Sequence, residues 1–249
     1  MTPRPRGPGP RGPVSGGSLA AVRRAVVACT ACPRLRAHCL EVARVRRRAF
    51  AEQVYWGLPV PGWGDPRARL LVVGLAPAAH GANRTGRMFT GDSSGDWLHG
   101  AMHRFGFASR PESTGRDDGL RLLDAWVTAA ARCAPPGNRP RPAELARCRR
   151  FLAAEIGLLR RVEVVLALGG VAHAAFLRAA GPWEPRPAAA PGRAVAARPR
   201  FAHGAESVLP DGRVLLASYH PSRQNTNTGR LTRPMWHAVF RRARRLLDG

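Results

Sequence analysis

Five cysteines are the densest source of chemistry in this 249-residue chain, and four of them fall into two pairs. Cys29 and Cys32 form a Cys-x-x-Cys pair whose thiolates can reach one metal centre from a single turn of chain. Cys133 and Cys148 form the second pair, with fourteen residues between them. Two separated pairs make a four-thiolate site that suits zinc or a [4Fe–4S] cluster, and geometry barely separates the two. The wide second spacing leans toward the cluster, because structural zinc sites commonly use two tight knuckles. Cys39 reads as a spare thiol. A thioredoxin-like redox role fits poorly, since no strand precedes Cys29.

Two polar loops carry the other chemistry. The first runs Gly74-Leu-Ala-Pro-Ala-Ala-His80-Gly-Ala-Asn83-Arg-Thr-Gly-Arg87-Met-Phe89-Thr-Gly-Asp92. Its small residues let backbone approach a ligand closely. Asn83, Arg84 and Arg87 offer hydrogen bonds and phosphate contacts, and Phe89 offers an aromatic face. Asn83 also reads as a turn stabiliser, and Asp92 equally as a helix N-cap. The second loop runs Ser218-Tyr-His220-Pro-Ser222-Arg223-Gln-Asn-Thr-Asn-Thr-Gly229-Arg230. His220 follows an apolar run and precedes proline, a position that favours a functional imidazole over a structural one. Neither loop is GxxxxGK[ST], so a Walker nucleotide site is not expected, and no GxSxG follows any strand, which removes an α/β-hydrolase.

The elements that position these loops are legible from periodicity. Arg69–Leu75, Ala125–Ala131, Val162–Leu168 and Val214–Tyr219 are short apolar runs of the kind that become buried parallel strands. Helical patterns cover Gly95–Phe107, Pro142–Arg160, Val171–Ala180 and Thr232–Leu247. Strand alternating with helix predicts an α/β fold, a three-layer α/β/α sandwich on a central four-stranded parallel sheet. Ligands in such sheets sit beyond the carboxyl ends of the strands, where both loops begin.

Composition narrows the partner. Forty basic residues against sixteen acidic ones leave a net charge of +24, and every base is arginine. A GC-rich genome accounts for arginine replacing lysine but not for the missing acids. An excess of this size calls for a polyanion, and nucleic acid fits better than a membrane because no basic segment carries a lipid-facing apolar stripe. No apolar stretch has transmembrane length and no secretory leader is evident, so a cytoplasmic protein is expected. Residues 1–17 read as a disordered basic tail, residues 18–249 as one domain, and residues 181–200 as a Pro/Ala-rich surface loop.

The two loop motifs and the cysteine segments together resemble family 5 uracil-DNA glycosylases, the UDGb group of the uracil-DNA glycosylase superfamily. GLAPAAHGANRTGRMFTGD is similar to the family's first motif and SYHPSRQNTNTGRLT to its last. CTACPRLR and TAAARCAPPGNRPRPAE, with the spacing to Cys148, resemble its cluster-binding segments. The likeness runs from about Val27 to Arg242.

The resemblance implies a uracil-DNA glycosylase-like fold and a [4Fe–4S] cluster on Cys29, Cys32, Cys133 and Cys148. It implies a monofunctional hydrolase that everts a base and cleaves its glycosidic bond, with no nucleotide cofactor, and a monomer is expected. Phe89 would stack on the base beside Ala76, and His220 would donate to the base carbonyl. Arg84, Arg87, Ser222, Arg223 and Arg230 would contact DNA. Leu75-Ala76-Pro77 lacks the water-orienting carboxylate or amide of the uracil-specific relatives, which leaves Asn83 and Asp92 as candidates for that role. Ala129 or Ala130 stands where related families carry an edge-reading asparagine, so looser selectivity is expected, extending to hypoxanthine and xanthine. The alternative is a non-catalytic iron–sulfur or zinc nucleic-acid-binding module, which would make the loop motifs coincidental.

Overall fold

The structure, a computed structural model, describes residues 17–181 and 198–249. The expected basic tail and all but the ends of the Pro/Ala-rich loop lie outside the described residues.

Two helices open the described chain, α1 (Leu19–Val27) and α2 (Pro33–Val45). Then come β1 (Trp63–Gly64), β2 (Leu70–Gly74), α3 (Ala82–Thr85), α4 (Ser93–Arg104) and β3 (Ala125–Ala129). The second half supplies α5 (Pro142–Leu158), β4 (Val164–Leu168), α6 (Gly170–Ala179), β5 (Glu206–Val208), β6 (Val214–Ser218), α7 (Arg223–Asn227) and α8 (Arg233–Asp248).

The sheet is six-stranded, in the order β1-β3-β2-β4-β6-β5. Its middle four strands are the predicted parallel ones, each within two residues of the apolar run that announced it. The expected four-stranded sheet is corrected at both edges, where β1 pairs antiparallel with β3 and β5 antiparallel with β6. These edge strands are two and three residues long and largely unburied, too short to show a two-residue period. Register sets Gly74 opposite Ala129 and Leu168 opposite Ser218, which levels the carboxyl ends of the four parallel strands along one edge.

Alternating side chains of the same strands feed two cores, as the pleat requires. On one face Leu70, Val72, Val127 and Leu166 pack with Leu98 and Met102 of α4 and Trp236 and Phe240 of α8. On the other, Leu71, Val73, Val165 and Ala167 pack with Leu152 of α5 and Phe176 of α6. Each large side chain so buried contributes roughly 1.5–3 kcal/mol. This is the three-layer sandwich. Local chemistry sets the helix ends: Thr232 caps α8 through Met235 N–H, and the Glu144 carboxylate accepts from Arg141 N–H at the start of α5. That carboxylate also takes a two-pronged hydrogen bond from Arg34 (2.8 and 2.7 Å), which clamps α2 to α5.

Candidate functional site

The loops leaving β2 and β6 meet at the carboxyl edge of the sheet although β4 stands between those strands. The Phe89 and His220 rings stack there, with centroids 5.9 Å apart and planes inclined by 29°. Two glycines permit this. A Cβ on Gly74, the last residue of β2, would lie 2.6 Å from two ring carbons of Phe89, so only glycine lets the ring rest on the strand end. Gly169, at the exit of β4, has φ +95° and donates its N–H to Ser218 O at 2.8 Å, just below the His220 backbone. Phe89 itself has φ +54°, a strained conformation for a bulky residue and one that tends to mark functional positions.

Desolvation pushes the His220 imidazole down to about 4, so it is neutral at pH 7 although part of the residue reaches the surface. Its backbone is held by Asn225, whose side-chain amide donates to His220 O at 2.8 Å. Ser222 caps α7 by accepting from Asn225 N–H. Arg223 is exposed and reaches Ser93 at the start of α4 (3.2 Å). Arg230 is exposed with its guanidinium 4.7 Å over the Tyr219 ring, whose other neighbours include the stacked imidazole of His203. The β6 loop therefore presents charge outward from a braced base.

The β2 loop does the opposite with its arginines. Arg84 is buried and donates to His80 O, the Gln53 side chain and Gly91 O at 2.5–2.8 Å, with its guanidinium 4.0 Å over Phe50. Arg87 is buried too, donating to Thr90, Ser113 and both carboxylate oxygens of Asp118 while lying over Trp63. Burial opposes ionisation of Asp118, but Arg87 and the N–H groups of Leu120, Thr114 and Gly115 together hold its carboxyl well below the usual range. The expected phosphate contacts of Arg84 and Arg87 are corrected accordingly: their donors are spent inside the protein, where they fix the shape of the loop.

Asn83 is fully buried, donating to Cys39 O in α2 at 3.2 Å, and its Oδ1 has no hydrogen-bond partner among the described residues. Asp92 caps α4, with Oδ1 accepting from Ser94 and Gly95 N–H at 2.9 and 3.0 Å. Its Oδ2 lies against Gly81, and burial raises its pKa despite the two N–H donors. Ala76 is half-buried two residues beyond Gly74. Ala129 and Ala130 are buried beside it, Ala130 N–H donating to Gly74 O, so β3 ends in methyl groups where an edge-reading amide would stand.

Three contributors escaped the sequence reading. His99 is fully buried in α4, tilted against Trp63, and burial pushes it down to about 4. Asp118 pins Arg87 from 31 residues away, a distance no local pattern announces. Gly169 had a signal: it opens a Gly-Gly pair directly after an apolar strand.

A model described as the uracil DNA glycosylase superfamily matches residues 61–244. The chain is 52% identical to the type-5 uracil-DNA glycosylase of Thermus thermophilus, over 89% of this chain and 94% of that protein. The chain belongs to the type-5 uracil-DNA glycosylases. It is 51% identical to the type-5 enzyme of Mycobacterium tuberculosis, over 92% of this chain and 82% of that protein. The likeness to the type-5 enzyme of Pyrobaculum aerophilum is 44%, over 88% of each.

In this type-5 family member Cys29, Cys32, Cys133 and Cys148 line one pocket. The turn between α1 and α2, the exit of β3 and the first half of α5 converge on it. Among the described residues no group of three or more His, Cys, Asp or Glu side chains is gathered tightly enough to hold a metal ion. Burial raises Cys148 to about 12 and also raises Cys32, which Arg147 opposes by hydrogen bonding its sulfur. Arg150 reaches Cys29 Sγ at 3.7 Å, and Arg36, Arg132 and Arg147 line the walls. Such a ring of cationic donors suits an anionic thiolate assembly, so the residues fit a cluster. Arg132 is anchored by Glu155, 2.6 Å away and equally buried, which also accepts from Thr128 of β3. Cys39 stays outside the cavity lining, hydrogen-bonded to the Cys133 thiol and near Ala134 O.

Proposed function

We propose that this chain hydrolyses the N-glycosidic bond of uracil in DNA, and of hypoxanthine and xanthine, by everting the base and leaving an abasic site. The observation that carries this reading is the Phe89–His220 ring pair at the carboxyl edge of the sheet, in a chain whose relatives are named type-5 uracil-DNA glycosylases.

Eversion costs about a few kcal/mol in lost stacking and pairing, which contacts outside the duplex must offset. Phe89 supplies a face for the extruded base above Ala76, and exposed Arg223 and Arg230, with Ser222 at the α7 cap, meet the DNA backbone. Cleavage builds negative charge on the departing base. A neutral imidazole in a desolvated setting is a preorganised donor to that charge, and His220 has this character. For the attacking water, Asp92 has the better support. Its Oδ2 is not used by the helix cap and burial makes the carboxylate more basic, whereas the Asn83 amide is committed to Cys39 O. The methyl-lined end of β3 offers no amide to reject a wrong base edge, which supports the broad substrate range.

Cys29, Cys32, Cys133 and Cys148 would hold a [4Fe–4S] cluster, a reading supported by the four thiols lining one pocket with Arg36, Arg132 and Arg147. When bound, the cluster supplies a structural cross-link among the α1–α2 turn, the β3 exit and α5. The protein works as a cytoplasmic monomer without a nucleotide cofactor. Among the described residues no helix is long and apolar enough to cross a membrane.

The test is excision from duplexes that each carry one uracil, hypoxanthine or xanthine. Cleavage of all three is expected. Cleavage of uracil alone overturns the broad range, and cleavage of none overturns the enzyme reading. Iron and sulfide in near-equal amounts in the purified protein are expected, and zinc in their place overturns the cluster.

A further inference from the structure

A second concavity lies behind the β2 loop and takes no part in the site described above. It is an open cleft, walled by Arg23 and Arg24 of α1 and by Trp56, Pro61, Gly86 and Arg116. Val27 and Ala28 complete the lining, so three of its eight residues are arginines, and among the described residues no carboxylate lines it. Arg23 and Arg24 are exposed, and among the described residues neither guanidinium has a hydrogen-bond, ion-pair or ring partner. Arg84 and Arg87 of the neighbouring loop spend their donors inside the protein, whereas the Arg23 and Arg24 guanidinia are left to solvent at the cleft wall. Arg116 is exposed but not loose, its guanidinium 4.4 Å over the Trp56 ring and its carbonyl accepting from Arg87. Trp56 is anchored in turn, with its N–H donating to Arg84 O and its indole N–H to Pro59 O.

The cleft is coupled in distance to the base site. Gly86 on its wall precedes Phe89 by three residues, so their Cα atoms are at most about 11 Å apart. A strand advances about 3.4 Å per nucleotide, so that reach corresponds to about three nucleotides.

We propose that this cleft binds the sugar–phosphate backbone of DNA flanking the everted base, with Arg116, which lies beside Gly86, about three nucleotides from it and Arg23 and Arg24 on the phosphates beyond. The inference rests on the glycosylase reading and extends it. Rigid, planar guanidinia suit phosphate oxygens, and Arg116 is pre-set by its stacking on Trp56. The contact gives the enzyme a grip on the strand that does not depend on the base, which is what a broad lesion range requires.

The experiment measures affinity of the full chain for a duplex carrying a reduced abasic site as a function of salt. Three proteins are compared: the unsubstituted one, R23A/R24A, and R160A/R161A. Arg160 and Arg161 are exposed between α5 and β4, at the amino end of the strands, and carry the same charge change to the opposite edge of the sheet. Each lost phosphate contact lowers the log–log salt slope by about 0.9. R23A/R24A should therefore lose close to two units of slope, and R160A/R161A none. Neutral methylphosphonates placed singly along the strand flanking the lesion should include positions that weaken the unsubstituted protein but not R23A/R24A. An unchanged slope in R23A/R24A overturns the proposal, and so does an equal fall in both double variants, which assigns the effect to net charge. Salt-insensitive binding by the unsubstituted protein overturns the DNA reading itself, and the cleft with it.

Discussion

Replacing Gly74 by alanine tests how the β2 and β6 loops meet. The added Cβ would lie 2.6 Å from Cε2 and Cζ of Phe89, whereas non-bonded carbons rest about 3.5–4.0 Å apart. The ring must therefore withdraw by about 1 Å. Nothing else obstructs the methyl, since its next neighbour, Thr128 O, is at 3.6 Å and Gly74 is not among the residues with positive φ. Phe89 cannot follow freely, because its backbone is held at φ +54° in a loop braced by Arg84 and Arg87. Overpacking of this kind costs about 1–3 kcal/mol of stability, and a 1 Å misplacement of a positioning group costs about 10²-fold in rate. The assay is single-turnover excision from a uracil duplex at saturating enzyme, with thermal unfolding alongside. Phe89→Ala supplies the control, since in that background the ring is gone and Gly74→Ala should add almost nothing. A Gly74→Ala protein excising at the native rate would sink the idea that Phe89 must sit where it does. Equal losses with and without the Phe89 ring would assign the effect to the strand instead.

His220→Ala should lower single-turnover excision roughly 10²–10³-fold while leaving iron content intact, and an unchanged rate removes His220 from the mechanism. His220 and His99 are both held near 4, below an ordinary value of 6.5, so the unfolded chain binds more protons between those limits. Each contributes about 3 kcal/mol that is present above pH 6.5 and lost as pH falls toward 4. NMR titration of the two imidazoles and denaturation at pH 7 and pH 5 check the shift, and normal pKa values near 6.5 refute it. Asp118→Asn removes the charge opposite a buried Arg87 and should destabilise the fold by about 3–5 kcal/mol in chemical denaturation, where a loss under 1 kcal/mol contradicts the bracing role.

The four parallel strands were legible because β2, β3 and β4 are buried at all five residues, which forces a continuous apolar run. β1 and β5 were not, being too short and too exposed for a pattern. Phe89 and His220 were legible as a pair because strand ends in such folds converge on one edge. Ranking their neighbours required the structure. Nothing local distinguishes an arginine that will face phosphate from one that will face Asp118 or Gln53, each 31 residues distant. The Asn83 contact was hidden for the same reason, since its partner, Cys39 O, comes from a helix 44 residues earlier. The cysteine pairs were plain in the sequence because few other uses exist for four spaced thiols in one chain. The Cys39 contact with Cys133 was not, because it depends on how α2 lies against the β3 exit.

Drawing every positive charge from one residue type has a consequence for how this protein tolerates change. Arg84 feeds three separate acceptors and Arg87 grips both oxygens of Asp118 plus two hydroxyls, tasks that need a flat fork with several donors in fixed directions. A lysine in either place would keep the formal charge and lose most of those bonds. At Arg23, Arg223 or Arg230 the same swap leaves an exposed cation on a flexible stem. Exchanging arginine for lysine one position at a time would thus sort the forty cations into framework and grip, a division that net charge conceals.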